Sequence, residues 1–408
     1  MSASRSKKPL VAIACGGTGG HLFPGLAVAD RLLIRGCDVL ALVSPKEVDQ
    51  QAIKTVVGIQ VATLPAVGMT RRNLPGFFLG CWRSYRASRR CFRDRPPQVV
   101  LAMGGFTSAA PVLAGRACGA ITFLHESNTI PGKANRWLAH FVDQAFVGFA
   151  ETAGRLHHHN ILCTGTPVRP QFQPGDASGC RVALGLEPAR PLLLVMGGSQ
   201  VASGINEGII AALPILRREV PELQFLHLTG PNDLEKVRSA YEAAQAKAMV
   251  RPFLSEMELA LGAADVAVSR AGASSMAELA AMRVPALLIP FPAATDNHQY
   301  YNAKAYVEAG AAILLNQNSR DDTALASSLV RLFADATRRE AMRRALGDFH
   351  HADAADVIAE RMLALLGTRP GQARTLSLPP VNEESNEERS MTERSRFMMP
   401  KRQPSLKP

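Results

Sequence analysis

The stretch Gly16–His21 reads "GGTGGH": four glycines and a threonine run up to a single histidine. Glycine adopts backbone conformations closed to other residues and lets a ligand come close to the chain. Placed between a strand and a helix starting near Phe23 or Pro24, such a loop offers free N–H groups to an anion, and a proline suits a first helical turn. Two nucleotide fingerprints do not fit. A P-loop needs GxxxxGK and then Ser or Thr, and no lysine follows these glycines. The dinucleotide pattern GxGxxG, started at Gly17, ends on Leu22, and the second strand "DVLALVS" closes on Ser44 instead of an acid. The residues leave open a tight structural turn or an anion cradle built from Gly17, Thr18, Gly19 and Gly20. His21 is the only titratable side chain in the loop. It reads as a packed or capping histidine, or as a proton acceptor near neutral pH.

Further stretches carry hydrogen-bonding chemistry. "MGGSQ" at 196–200 sets the Ser199 hydroxyl beside the backbone donors of Gly197 and Gly198. "SRAGASSMAEL" leads from Gly272 through Ser275 into a helix carrying Glu278, which either caps a helix start or accepts both hydroxyls of a ribose. "HESN" at 125–128 puts four polar residues at a strand's carboxyl end. "DNHQYYNA" groups Asp296, Asn297, His298, Gln299 and Asn302, side chains that suit sugar hydroxyls or a solvated loop before a helix. No DxD triplet and no HxxxH occurs. A metal-bound diphosphate is therefore not expected, and neutralisation falls to backbone N–H groups, hydroxyls and Arg169 in "GTPVR".

The segment "LPGFFLGCWRSYRASRRCFRDRPP" has a different character. Between Arg71 and Arg95 lie eight arginines and one acid, Asp94, so this region supplies +7 of a formal net charge of +11. Phe78, Trp82, Tyr85 and Phe92 fall on a rough helical stripe flanked by Arg83, Arg86, Arg90 and Arg93, with Leu74, Phe77 and Leu79 at the helix start. It reads as a packed helix with a solvated basic face, as a helix lying against anionic lipid, or as a nucleic-acid surface. No second basic region or nucleic-acid module extends the last of these, so no nucleic-acid partner is expected.

The elements that must position these residues alternate. "LVAIAC", "DVLALVS", "QVVLAM", "AITFLHES", "QAFVGF" and "NILCTG" are apolar runs separated by helix-length segments, which implies a parallel sheet covered on both faces. The pattern loosens through Pro167, Pro170, Pro174 and Pro188 and restarts at "PLLLVMGGSQ". The halves also match internally: "PLVAIACGG" corresponds to "PLLLVMGGS", and setting Gly105 on Gly272 brings Ser108 onto Ser275. Two similar open α/β domains then face each other across a cleft, with ligands beyond the carboxyl ends of the strands. The 408 residues suffice for two cores, and 47% apolar with 20% charged residues is a soluble balance. Seven scattered cysteines without a CxxC pair read as buried thiols. No apolar run reaches membrane-spanning length and no secretory signal is recognisable, so the chain is expected in the cytoplasm. The expected divisions are a flexible N-terminus 1–7, a first domain 8–166, a linker 167–190, a second domain 191–354, a helix 355–369 packing back toward the first domain, and a disordered tail 370–408.

With these residues in order, "GGTGGHLFPGLAVA", "MGGFTS", "HESN", "GTPVR", "MGGSQ", "RAGASSMAEL" and "DNHQYYNA", the sequence resembles the MurG-type N-acetylglucosaminyltransferases of glycosyltransferase family 28 over residues 8 to 365. The resemblance implies a glycosyltransferase-B fold of two Rossmann-like domains. It implies transfer of N-acetylglucosamine from UDP-N-acetylglucosamine to the C4 hydroxyl of the muramic sugar of lipid I, with inversion, giving lipid II and UDP, and with no cofactor required. It implies that His21 acts as general base and that Gly17, Thr18, Gly19 and Gly20 cradle the acceptor diphosphate or the charge developing at transfer, with Thr18 and Gly20 also touching the donor. Asn128, Arg169, Ser199, Glu278, His298 and Gln299 would contact the donor, and the Leu254 backbone would read uracil. Leu74, Phe77, Phe78, Trp82, Arg83, Arg86 and Arg90 would meet an anionic membrane surface, placing the protein peripherally at the cytoplasmic face of the inner membrane. Partners among other enzymes of cell-wall synthesis are left open. The sequence departs from the family pattern at Ser127, where glutamine is usual, and at Val201, where glycine is usual.

Overall fold

The computed structural model describes residues 8–46, 49–50, 53, 57–65, 74–197, 203–317 and 323–368, without the side chains of Leu74, Pro75 and Phe106. Ser199, Val201, the N-terminal residues 1–7 and the segment 370–408 lie outside the described residues, as does the Leu74 side chain. The apolar runs form two parallel sheets. The first has seven strands in the order β3-β2-β1-β4-β5-β6-β7, with β1 Leu10–Ala14, β2 Asp38–Val43, β3 Gln60–Thr63, β4 Val99–Ala102, β5 Ile121–Glu126, β6 Gln144–Val147 and β7 Ile161–Cys163. The second has six in the order β10-β9-β8-β11-β12-β13, with β8 Leu192–Met196, β9 Gln224–Leu228, β10 Lys247–Arg251, β11 Val266–Ser269, β12 Ala286–Leu288 and β13 Ala312–Leu314. Every residue of β1, β4, β5, β6, β8 and β11 is buried, which is why apolar residues predominate across them without alternation.

The internal match holds residue for residue. β1 and β8 start and end at equivalent positions, Leu10 with Leu192 and Ala14 with Met196. Val99–Ala102 matches Val266–Ser269 in the same way, and the helices that follow, α3 (Phe106–Arg116) and α5 (Ala273–Ala281), begin after the matched glycines Gly105 and Gly272. The second sheet repeats the strand order of the first without its seventh strand.

Helices cover both faces. In the first half these include α1 (Gly19–Ile34) and α2 (Leu74–Cys91) besides α3; in the second, α4 (Ser203–Glu219) and α6 (His298–Glu308) besides α5. The segment between the sheets carries a helix, Ala177–Ala183, whose Arg181 donates to Asp265 at 2.7 Å, and Phe172 belongs to the second core. The helix α7 (Ala354–Gly367) packs on the first core through Ile358, Ala359, Met362, Leu363 and Leu366. Its large apolar side chains contribute roughly 1.5–3 kcal/mol each, and Arg35 adds ion pairs to Asp356 and Glu360 at 2.8 and 2.7 Å.

Candidate active site

The glycine loop is shaped by backbone demands and by one carboxylate. A Cβ at Gly16 would lie 2.3 Å from the Ser44 nitrogen, so only glycine lets β1 leave the sheet past β2. Gly17 has φ +116°, a conformation that favours glycine. The buried Asp49 accepts from Gly17 N at 2.7 Å, Ser44 N at 3.0 Å and Ser44 Oγ at 2.6 Å, and the Lys46 ammonium donates to the Gly17 carbonyl at 2.8 Å. Helix α1 starts at Gly19 with Thr18 as its cap, earlier than the sequence suggested. Pro24 therefore lies inside the helix instead of in its first turn. Lacking an N–H, it leaves the Gly20 carbonyl without its helical donor. The hydroxyl of Ser274, at the start of α5 in the other half, supplies that bond at 2.9 Å. The amides of Gly19 and Gly20 head the helix and have no acceptor within it.

His21 is half-buried, its ring set against the turn Gly104–Gly105, where both residues have positive φ. A Cβ at Gly104 would come within 2.9 Å of the ring. The His21 Nδ1 and the Asn135 Oδ1 are both buried and have no hydrogen-bond partner among the described residues. The same Gly104 position lies 3.0 Å from His21 Nδ1 and 3.1 Å from Asn135 Nδ2, so the two side chains crowd one point. Burial holds the imidazole below its ordinary value. The Glu126 carboxylate, the Met103 carbonyl and the Asp49 carboxylate pull the other way, and the His298 ring adds to the lowering. A neutral imidazole results, as a proton acceptor requires.

Glu126, in "HESN", is 2% exposed and accepts four hydrogen bonds: Asn128 N and Nδ2 at 2.9 Å each, Gly132 N at 2.9 Å and Asn135 Nδ2 at 2.8 Å. It locks the β5 terminus to the short helix Lys133–Leu138. Asn128 Oδ1 in turn accepts from Asn302 Nδ2 at 3.0 Å, and Asn302 Oδ1 accepts from Thr129 N at 2.9 Å and Thr129 Oγ1 at 3.0 Å. Asn302 is fully buried on α6, so the two halves meet here as well as at Ser274.

The remaining second-half residues also lie beyond strand carboxyl ends. Glu278 is the sixth residue of α5, too far in to cap it, and so the capping reading fails. Burial pushes its carboxyl up to about 7, with the Arg169 guanidinium drawing it down and Glu258 adding to the rise. Arg169 stacks between the rings of Phe23 on α1 and Phe172, 4.4 and 4.9 Å from their centroids, and its Nε is buried without a partner. His298 opens α6 with Nδ1 2.8 Å from the Thr295 carbonyl, after the left-handed Asp296 and Asn297. Gln299 Oε1 accepts from Phe291 N at 2.9 Å. Leu254 follows β10 and packs, partly buried, on the second core. The structure thus gathers Gly17–His21, Asn128, Arg169, Glu278 and His298 around the junction of the halves. Sequence reasoning passed over Asp49, Asn135 and Ser274 and gave Glu126 and Asn302 no individual role. The polar run "ESNTIPGKAN" was a local signal for Glu126 and Asn135, Ser274 and Asn302 lay inside the polar stretches around Gly272 and His298, and Asp49 had none.

The arginine-aromatic helix α2 divides along its length. Phe78 and Trp82 are 67% and 52% exposed and Leu79 is exposed, whereas Phe92 is buried and Tyr85 packs against the first core. The expected aromatic stripe is therefore two surfaces, one free and one packed. Phe77 is half-buried and edge-on to Phe78 at 5.7 Å; Arg83, Arg86 and Arg90 are exposed, with Arg86 4.8 Å over Trp82. No helix among the described residues is long and apolar enough to cross a membrane.

Comparison with known proteins gives two family matches in order. Residues 11–147 match the glycosyltransferase family 28 N-terminal domain and residues 192–358 its C-terminal domain. The chain is 36% identical over 379 residues to the UDP-N-acetylglucosamine–N-acetylmuramyl-(pentapeptide) pyrophosphoryl-undecaprenol N-acetylglucosamine transferase of Nitratidesulfovibrio vulgaris, covering 88% of this chain and 98% of that protein. It is 35% identical to the protein of the same name from an Anaeromyxobacter species, covering 89% and 96%. Among solved structures, Acinetobacter baumannii MurG superposes with a TM-score of 0.67 at 24% identity, covering 87% of this chain and 99% of that one. A putative UDP-N-acetylglucosamine 2-epimerase from Listeria monocytogenes superposes almost as well, with a TM-score of 0.66 at 14% identity, covering 90% and 99%. These superpositions establish the glycosyltransferase-B fold, and the second demonstrates that this fold by itself does not separate transferases from epimerases.

Proposed function

The chain belongs to glycosyltransferase family 28, and from that membership we propose how its two halves carry out the transfer. It is an inverting N-acetylglucosaminyltransferase that moves the sugar from UDP-N-acetylglucosamine to the C4 hydroxyl of the muramic sugar of lipid I, giving lipid II and UDP. The carrying observation is the match at 34–36% identity to proteins of that one activity along nearly their whole length.

In the proposed mechanism, His21 takes the acceptor proton as the hydroxyl attacks the anomeric carbon opposite the leaving UDP. Its place at the end of the glycine loop, against the Gly104–Gly105 turn, and its neutral state support this role. The loop of Gly17, Thr18, Gly19 and Gly20, with the α1 amides, meets the developing negative charge, and Arg169 neutralises the donor diphosphate. Glu278 accepts the ribose hydroxyls, and Asn128, His298 and Gln299 border the sugar. Ser199 and the Leu254 backbone complete the donor site. Glu126 and Asn135 position His21 and Asn128. The exposed Phe78 and Trp82, with Phe77, Leu74 and the flanking Arg83, Arg86 and Arg90, form the face that settles on an anionic membrane, peripherally on its cytoplasmic side, where the lipid-linked acceptor resides.

The test is acceptor-dependent UDP release with product mass followed, using a soluble lipid I analogue. His21→Ala is expected to lower turnover by about 10²–10⁴-fold with donor binding kept. Near-normal turnover in that variant would remove His21 from the base role, and donor consumption without acceptor would point instead to epimerase chemistry.

A further inference from the structure

The second half holds a buried chain of polar side chains that the transfer step does not use. His227, near the end of β9, is fully buried. Its Nδ1 lies 3.0 Å from the Tyr241 hydroxyl and its Nε2 lies 2.9 Å from Asn206 Oδ1. Asn206 stands in the first turn of α4, where its Nδ2 donates to the Thr229 carbonyl at 3.0 Å and to Asp233 Oδ2 at 2.8 Å. Hydrogen bonds from Ser203, the first residue of α4, and from Asn206 hold the Asp233 carboxyl below its usual value.

The network runs one way. A carbonyl and an ionised carboxylate only accept, so both Asn206 Nδ2 protons are committed and its Oδ1 faces a donor. His227 therefore carries its proton on Nε2, and its Nδ1 accepts from Tyr241. Burial pushes the ring down to about 3, with Asp233 drawing it up, so it stays neutral. Thr229 then joins a further element. Its N–H donates to the Arg251 carbonyl and the Gly230 N–H donates to the Pro252 carbonyl, both at 3.0 Å, with Gly230 turning at φ +72°. Leu254 lies two residues beyond Pro252. One continuous path thus links the start of α4 to the segment that ends β10 and leads to Leu254.

A nucleoside diphosphate spans two subsites, and it outbinds its fragment only where those subsites keep the right separation. A buried one-way network has few alternative arrangements, since any shift strands a polar group. Given the donor site proposed above, we infer that His227 is a positioning residue. It fixes the phosphate-facing start of α4 against the uracil-facing segment, and so sets the advantage of a uridine diphosphate over uridine alone.

The full chain and its His227→Phe variant are titrated with UDP and with uridine by calorimetry, and donor kinetics are followed with a soluble lipid I analogue. The variant is expected to bind UDP at least tenfold more weakly and uridine within twofold of the parent. The KM for UDP-N-acetylglucosamine should rise by a similar factor with kcat near parental, because ground state and transition state lose the same binding. A merely structural role weakens both ligands together or neither; either result overturns the positioning role and leaves the donor site standing. Failure of the parent to bind UDP would remove the donor site itself, and the role of His227 with it. Should His227→Phe not fold, Tyr241→Phe keeps the ring packing and removes only the hydroxyl that His227 accepts from. A severalfold loss of UDP affinity with uridine unchanged is expected there, and parental affinity for both ligands would overturn the assignment.

Discussion

At the scale of single residues, the site is controlled by what burial does to charge. Glu278 is held near 7 because its carboxyl is desolvated, with Arg169 only partly compensating. A carboxyl whose folded value is raised favours the folded chain fully below its ordinary value near 4.5, and that contribution is lost as pH rises through about 7. Ribose hydroxyls donate to the ionised form, so donor binding must draw a proton off Glu278. Affinity for UDP-N-acetylglucosamine is therefore expected to tighten severalfold between pH 6 and 8. Glu278→Gln should bind about tenfold more weakly, with the pH slope gone. Calorimetry across that range decides, and an unchanged slope in the variant would remove Glu278 from the donor site. His21 shifts the opposite way, and its neutral form persists to lower pH than that of an exposed histidine. Some of this was legible in the sequence: a histidine at the end of a glycine loop announces itself. Asp49 did not, because what gives it meaning is three hydrogen bonds to backbone and hydroxyl groups that only the folded sheet brings within reach.

At the scale of elements, α1 and α5 act together. Pro24 disables one helical bond in α1, and Ser274, 254 residues away from Gly20, restores it. The sequence put Pro24 in a first turn because a proline suits that position. The fold instead begins the helix at Gly19 and lets another element satisfy the orphaned carbonyl. Ser274→Ala leaves that carbonyl unpaired, at a cost of about 1–3 kcal/mol. A lower unfolding temperature and weakened turnover are expected in Ser274→Ala, with Ser274→Thr retaining both. If Ser274→Ala behaves like the parent in calorimetry and turnover, the crossing bond contributes nothing. The helix α2 is read differently at its two ends, since the apolar pattern did not reveal that Phe92 turns inward while Phe78 and Trp82 stay out. Phe78→Ser/Trp82→Ser should lose most binding to anionic vesicles while keeping turnover on a soluble acceptor. Retained vesicle binding would move the membrane face elsewhere.

At the scale of the whole molecule, the duplicated α/β architecture was legible, because the matched strands recur in both halves and the β4–α3 and β11–α5 units keep the same strand–glycine–helix spacing. How the halves meet was not, since periodicity carries no information about bonds spanning 173 or 174 residues. Among the described residues, the polar links at the junction beside Ser274 include an Arg136–Asp296 pair and the bonds of Asn302. The Arg136–Asp296 pair at 2.8 Å is about 40% and 36% exposed, and exposed pairs of this kind contribute little. Asn302 is the stronger link: it is buried and bonds to Thr129 N, Thr129 Oγ1, Asn128 Oδ1 and its own half's Ala271 carbonyl. Removing it strands three partners in the opposite half, so the closed arrangement is expected to lose several kcal/mol, roughly one or more per bond. Transfer requires both halves around one reacting centre with water excluded. Asn302→Ala should therefore enlarge the radius of gyration seen by X-ray scattering and lower turnover by an order of magnitude or more, while each half keeps its fold by circular dichroism. It should also raise hydrolysis of the donor relative to transfer. A variant that scatters like the parent and transfers at the parental rate would mean that Asn302 stabilises the junction without governing its closure.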